Sequence, residues 1–155
     1  MIRLSKLTDY AVVILGEMSR HPGSVHTVAQ LAPRTAVPEP TVAKVMKLLA
    51  RDGLLKSQRG AAGGYLLDRS ADEVSMAEII VALEGPIALT ACVDGASGGC
   101  GVETLCAMRG GWDKLNRAIR TALEEVTLAD MTAPASWPAF TEQGAPVREL
   151  RQGTR

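Results

Sequence analysis

Aromatic side chains are scarce in this chain. Of 155 residues only two are Trp, two Tyr and one Phe, 3% in all, although 46% are apolar. A core with so few rings must be built from Leu, Val, Ile, Met and Ala, a composition that favours helices. Histidine is as rare: the two present, His21 and His26, both lie in the first half. No imidazole therefore lies near the cysteines in sequence and no base is apparent, so a cysteine-nucleophile enzyme is disfavoured. The chain reads as no enzyme. No stretch approaches the roughly 20 apolar residues that cross a bilayer, so no membrane partner is expected. The basic start is interrupted by Asp9 and Glu17 and lacks a small-residue cleavage site, unlike a secretory signal. These absences point to a cytoplasmic protein. There is also no internal repeat, and the length suits one domain with appendages.

Net charge is absent too, with 17 Lys or Arg against 17 Asp or Glu, but the balance hides an asymmetry. Residues 1–70 carry ten basic against five acidic side chains, and residues 71–134 carry four against ten. A basic half most often implies nucleic acid, because phosphate neutralisation supplies most non-specific affinity.

What the chain does have is a concentration of thiols. All three cysteines fall within fifteen residues, CVDGASGGCGVETLC, spaced C-x7-C-x5-C and joined by Gly95, Gly98, Gly99 and Gly101. An odd count and no secretory signal fit a disulfide framework poorly. Glycine lets the backbone approach a bulky guest closely, and Val93 can shield it. The spacing suits an iron–sulfur cluster, 2Fe–2S or 4Fe–4S, ligated by the thiolates of Cys92, Cys100 and Cys106. Three other readings stay open: small buried hydrophobes, a zinc site, which lacks its usual CxxC knuckle, and a redox thiol switch.

Around this loop the pattern is mainly α with a small β-hairpin wing. Leu7, Tyr10, Ala11, Ile14, Leu15 and Met18 recur at helical spacing, predicting a helix over about 5–19. A short second helix, capped by Thr27 and anchored by Val28 and Leu31, should end before Pro33. A third runs from about 38–40 to 51, with Val42, Val45, Leu48 and Leu49 inward and Thr41, Lys44, Lys47 and Arg51 outward. Residues 54–57 and 65–67 read as strands about a glycine-rich turn, which makes a winged helix-turn-helix. That turn joins two strands rather than opening a helix, so a nucleotide-phosphate cradle is disfavoured. Thr41 and Lys44 are expected to reach base edges of double-stranded DNA, Lys47 and Arg51 to contact phosphate, and Arg59, beside Gly60, to enter the minor groove.

Ser75 with Glu78 forms a capping box for a helix reaching about residue 83. A brief extended piece at 87–89 then leads into the cysteine loop. Beyond it Trp112, Leu115, Ile119, Ala122 and Val126 step by 3, 4, 3 and 4, an apolar seam along a dimerisation helix about 22 Å long at 1.5 Å per residue. The expected organisation is a DNA-binding domain at 1–70, the cluster loop and dimerisation helices at 71–131, and a disordered tail at 132–155, where Trp137 and Phe140 rest on the body.

Through LTDYAV at 7–12, RGAAGGYLL at 59–67, SMAEII at 75–80, the cysteine triad and the long helix, the sequence resembles the IscR-type family of iron–sulfur-sensing bacterial transcription regulators. The resemblance covers residues 1 to about 131. It implies a homodimer on a palindromic operator that represses or activates genes according to cluster status. Some members place a histidine fourth ligand three residues after the last cysteine, where this chain has Arg109; others use the aspartate of the TDY motif, here Asp9. Asp94, Glu103 and Asp113 lie nearer in sequence, but Asp9 alone would tie the cluster to the DNA-binding half. The alternative from another class is a zinc-stabilised winged-helix module that binds protein.

Overall fold

The computed structural model describes residues 3–60, 63–93, 106 and 110–133. Helix α1, Lys6–Ser19, starts where the Ser5 side chain accepts the Thr8 N–H, and it buries Ala11, Ile14, Leu15 and Met18. Strand β1 is Val25–His26 and α2 is Val28–Thr35, opened by a full capping box between Thr27 and Gln30. Helix α2 thus runs through Pro33 instead of ending before it. Proline forfeits one backbone bond there. Leu31 and Ala32 are nonetheless buried where α2 packs on α1 and α3, and the Thr35 hydroxyl donates to the Leu31 carbonyl at 2.8 Å. Packing outweighs the lost bond.

The turn into α3, Glu39–Arg51, passes through Ala36 at φ 56°, a left-handed conformation, and buries Val37. Pro38 caps α3 and Pro40 occupies its first turn, where a missing N–H costs nothing. The buried stripe of α3 is Val42, Val45, Met46 and Leu49. Met46 takes the place expected for Leu48, which lies roughly 110° around the helix from that stripe and is only half-buried.

The wing pairs β2, Lys56–Gln58, with β3, Gly64–Leu66, antiparallel with Ser57 opposite Tyr65. Leu54 and Leu55, expected in the strand, are buried ahead of it, their N–H groups donating to the Leu49 carbonyl. Strand β1 adds on the other side of β3 and completes a three-stranded sheet the sequence pattern did not announce. A Cβ at Gly64 would lie 2.5 Å from the His26 carbonyl oxygen, so this close approach needs glycine.

Helix α4, Met76–Glu84, has the expected Ser75–Glu78 capping box and stops at Gly85, φ 92°. Helix α5, Gly111–Glu125, follows Gly110, φ 81°, and a short α6, Leu128–Thr132, is capped by Thr127 and Asp130. The fully buried Leu128 fixes α6, with its N–H donating to the Val74 carbonyl at 2.8 Å. One core results: Ile14, Leu15, Leu31, Met46 and Leu49 share it with Val74, Ile79 and Leu128 from beyond residue 70. No helix among the described residues is long and apolar enough to cross a membrane. Thr132 closes α6, whereas 134–155 of the expected tail, with Trp137 and Phe140, lie outside the described residues.

Candidate nucleic-acid interface and thiol centre

Because the apolar stripe of α3 faces the core, its opposite side is left to solvent, and Lys44, Lys47 and Arg51 are all exposed there. Thr41 sits at the stripe's edge, half-buried. Among the described residues Lys44 and Lys47 take part in no ion pair, whereas Arg51 Nε bonds Asp52 Oδ1 at 2.9 Å. On the wing, Arg59 and Gly60 are exposed at the end of β2, Gly60 with φ 112°. Lys56, at the opposite end of β2, is paired with Asp68 and lowers the pKa of that carboxyl by hydrogen bonding. Among the described residues the outer face of α3 and the wing tip thus carry three cations in no ion pair, Lys44, Lys47 and Arg59.

The wing is braced against the second half of the chain. Arg69, just after β3, holds Glu78 of α4 through two bonds, at 2.7 and 3.3 Å, and this guanidinium keeps the Glu78 carboxyl below the usual range. Sequence reasoning had assigned Glu78 only to the capping box; the arginine nine residues upstream carried no signal of its own.

Cys92 is placed by the end of α4 and by α5. Gly85 and Pro86 release the chain from α4, Asn116 of α5 holds residues 87–89, and Cys92 follows, half-buried, with the Thr90 hydroxyl 3.2 Å from its Sγ. Val93 beside it is 5% exposed. Cys106 is half-buried and, like Cys92, in no disulfide. Cys100, Asp94, Glu103 and Arg109 lie outside the described residues. Among the described residues no three His, Cys, Asp or Glu gather as metal ligands, so Asp9, exposed on α1, is not brought together with Cys92 and Cys106 within one chain. Asp113, in the first turn of α5, has a buried Oδ1 without a hydrogen-bond partner. Thr90 and Asn116 were missed from sequence, where a lone Thr or Asn carries no pattern.

The seam of α5 divides. Trp112 and Leu115 are 41% and 47% exposed, Ala122 is exposed and Ile119 half-buried, while Val126 packs on the protein's own core.

The Rrf2 family model, described as an iron-dependent transcriptional regulator, matches residues 4–134. A Mycobacterium tuberculosis protein named as an HTH-type transcriptional regulator is 30% identical, over 99% of this chain and 95% of its own length. The HTH-type transcriptional regulator IscR of Erwinia tasmaniensis is also 30% identical, over 84% of this chain and 78% of its own. Among solved structures, CymR, the global cysteine regulator of B. subtilis, matches with a TM-score of 0.62 at 27% identity, covering 85% of this chain and 97% of that one. With a winged helix that exposes Lys44, Lys47 and Arg59 and a family match along most of its length, this chain belongs to the Rrf2 family of transcriptional regulators, of the IscR type, and is not an enzyme.

Proposed function

We propose that the protein is a homodimeric regulator that binds a palindromic operator through residues 1–70 and reports the state of an iron–sulfur cluster held in residues 71–131. The observation that carries this reading is the placement of Cys92 and Cys106, both unpaired and half-buried, at the two ends of the loop between α4 and α5. Their donor chemistry fits the group: soft thiolates, a hydroxyl within reach of one sulfur, and an apolar neighbour in Val93. Cys92, Cys100 and Cys106 would hold the cluster. When bound, it supplies a redox- and iron-sensitive link between otherwise separate parts of the chain.

Asp9 would complete the site from the second protomer, since it does not join Cys92 and Cys106 within one chain. A ligand crossing the dimer ties each cluster to the other protomer's α1, and cluster loss then shifts the α1 and α3 helices that present the DNA face. A ligand biases such an equilibrium only through differential contacts with the two states. Trp112, Leu115, Ile119 and Ala122 form the dimer contact, with Val126 at its inner end. On DNA, Thr41 and Lys44 reach base edges, Lys47 and Arg51 contact phosphate, and Arg59 with Gly60 lies in the minor groove.

Anaerobic purification tests the reading. Visible absorbance with iron and sulfide bound, lost together in the Cys92→Ala, Cys100→Ala and Cys106→Ala variants, is the expected result. Colourless protein with stoichiometric zinc and no operator binding would show instead a zinc-stabilised protein-interaction module.

A further inference from the structure

Helix α5 departs at one position from the usual order of an amphipathic helix. Trp112 and Leu115 face solvent, and the buried residue is Asn116, 6% exposed. A buried carboxamide is costly unless its donor and acceptor are both used. Here they are: Asn116 Oδ1 accepts the Leu89 N–H at 3.1 Å, and Nδ2 donates to the Ile87 carbonyl at 3.0 Å. Residues two apart on an extended segment offer N–H and C=O to the same side, so one carboxamide matches them as a neighbouring strand would. Among the described residues the 87–89 segment pairs with no strand, and the side chain stands in for one. Immediately beyond the clamp come Thr90, whose hydroxyl contacts Cys92 Sγ, and the buried Val93.

We infer that Asn116 is a positioning residue for the thiol centre: by binding residues 87–89 it fixes where Cys92 enters the loop and ties that loop to α5. This rests on reading Cys92 as a ligand. An aliphatic residue at 116 would bury as well but would leave the Leu89 N–H and Ile87 carbonyl to water. An aspartate would still accept from Leu89 but could not donate to Ile87.

The test compares full-length parent, Asn116→Leu and Asn116→Asp. In cluster-free protein, amide exchange at Leu89 should be roughly five- to tenfold faster in Asn116→Leu, the factor that one hydrogen bond carries, and nearer the parent in Asn116→Asp. Alkylation of Cys92 by iodoacetamide at one fixed pH should be several-fold faster in both. After reconstitution with iron and sulfide, both should show altered visible circular dichroism and a several-fold shorter cluster lifetime in air. Faster Leu89 exchange with parental alkylation and dichroism would reduce Asn116 to a solvating role and overturn the inference, as would unchanged exchange in Asn116→Leu. If the parent itself takes up no cluster, the cluster reading fails while exchange and alkylation still decide the clamp. Should Asn116→Leu not fold, alkylation and dichroism of Asn116→Asp decide alone.

Discussion

The Thr8 hydroxyl donates to Glu84 Oε1 at 2.6 Å, and the Ser5 N–H reaches the same oxygen at 2.7 Å, so the first turn of α1 is tied to the last residue of α4. The acidic end of one half is thereby fastened to the start of the basic half, beside the segment that leads to Cys92. Thr8 is 1% exposed, so Glu84→Leu leaves its hydroxyl buried with only the long 3.5 Å contact to Ser5 Oγ. The expected cost is about 1–2 kcal/mol by urea unfolding, with part recovered in Thr8→Val/Glu84→Leu. The bonds from Thr8 first, then Ser5, hold the Glu84 carboxyl below its usual 4.5. Its contribution is thus present above that value and lost as pH falls through the folded-state pKa.

Helix α1 meets α6 at a glycine. A Cβ on Gly16 would lie 2.7 Å from Thr132 Cγ2, although alanine otherwise gains about 1 kcal/mol over glycine inside a helix. Gly16→Ala should therefore fail to stabilise the parent but stabilise Thr132→Ser by about 1 kcal/mol, since serine keeps the hydroxyl and removes the methyl. A double-mutant cycle with coupling below about 0.3 kcal/mol would sink this contact.

His26 supplies a pH signature. It is 4% exposed, its Nε2 has no partner, and burial first, then the charges of His21 and Arg34, hold its pKa below 6.5 despite Glu17 nearby. The unfolded chain binds this proton more readily, so stability should fall as pH drops below about 6.5, before the carboxylates begin to titrate. Tm measured from about pH 7 to 5 should decline in the parent and stay flatter in His26→Phe. An equal slope in both would assign the proton elsewhere.

On DNA the free cations should matter more than the paired one. Lys44→Ala and Arg59→Ala are each expected to weaken operator affinity, a base-reading contact costing roughly 1–3 kcal/mol and a phosphate contact lowering the salt slope by about one. Arg51→Ala should cost less, because Asp52 already neutralises that guanidinium. Unchanged binding of Lys44→Ala and Arg59→Ala in a salt-controlled titration removes the role assigned to this surface.

Leu115, 47% exposed on α5, tests the proposed dimer contact without touching the core. Leu115→Asp should sediment as monomer and bind the operator more weakly, since two half-sites need two recognition helices held in register. A fully dimeric variant would move the contact away from α5.

Local chemistry in the sequence determined most of the helices. Caps at Thr27 and Ser75, prolines at 38 and 40 and the glycine at 85 act within a few residues, so they could be read before any packing was known. The clustering of the cysteines and the basic side of α3 were legible for the same reason, being matters of spacing alone. Only the tertiary structure decided what depends on distant partners. Helix α2 continues through Pro33 because Leu31 and Ala32 are buried against other helices, and β1 exists because β3 passes within reach at Gly64. Leu128 makes a helix of five residues worth forming, and Arg69 and Asn116 gain their roles from groups that folding brings to them. A two-residue strand or a single buried amide has no periodicity to betray it; its free energy comes from neighbours far along the chain.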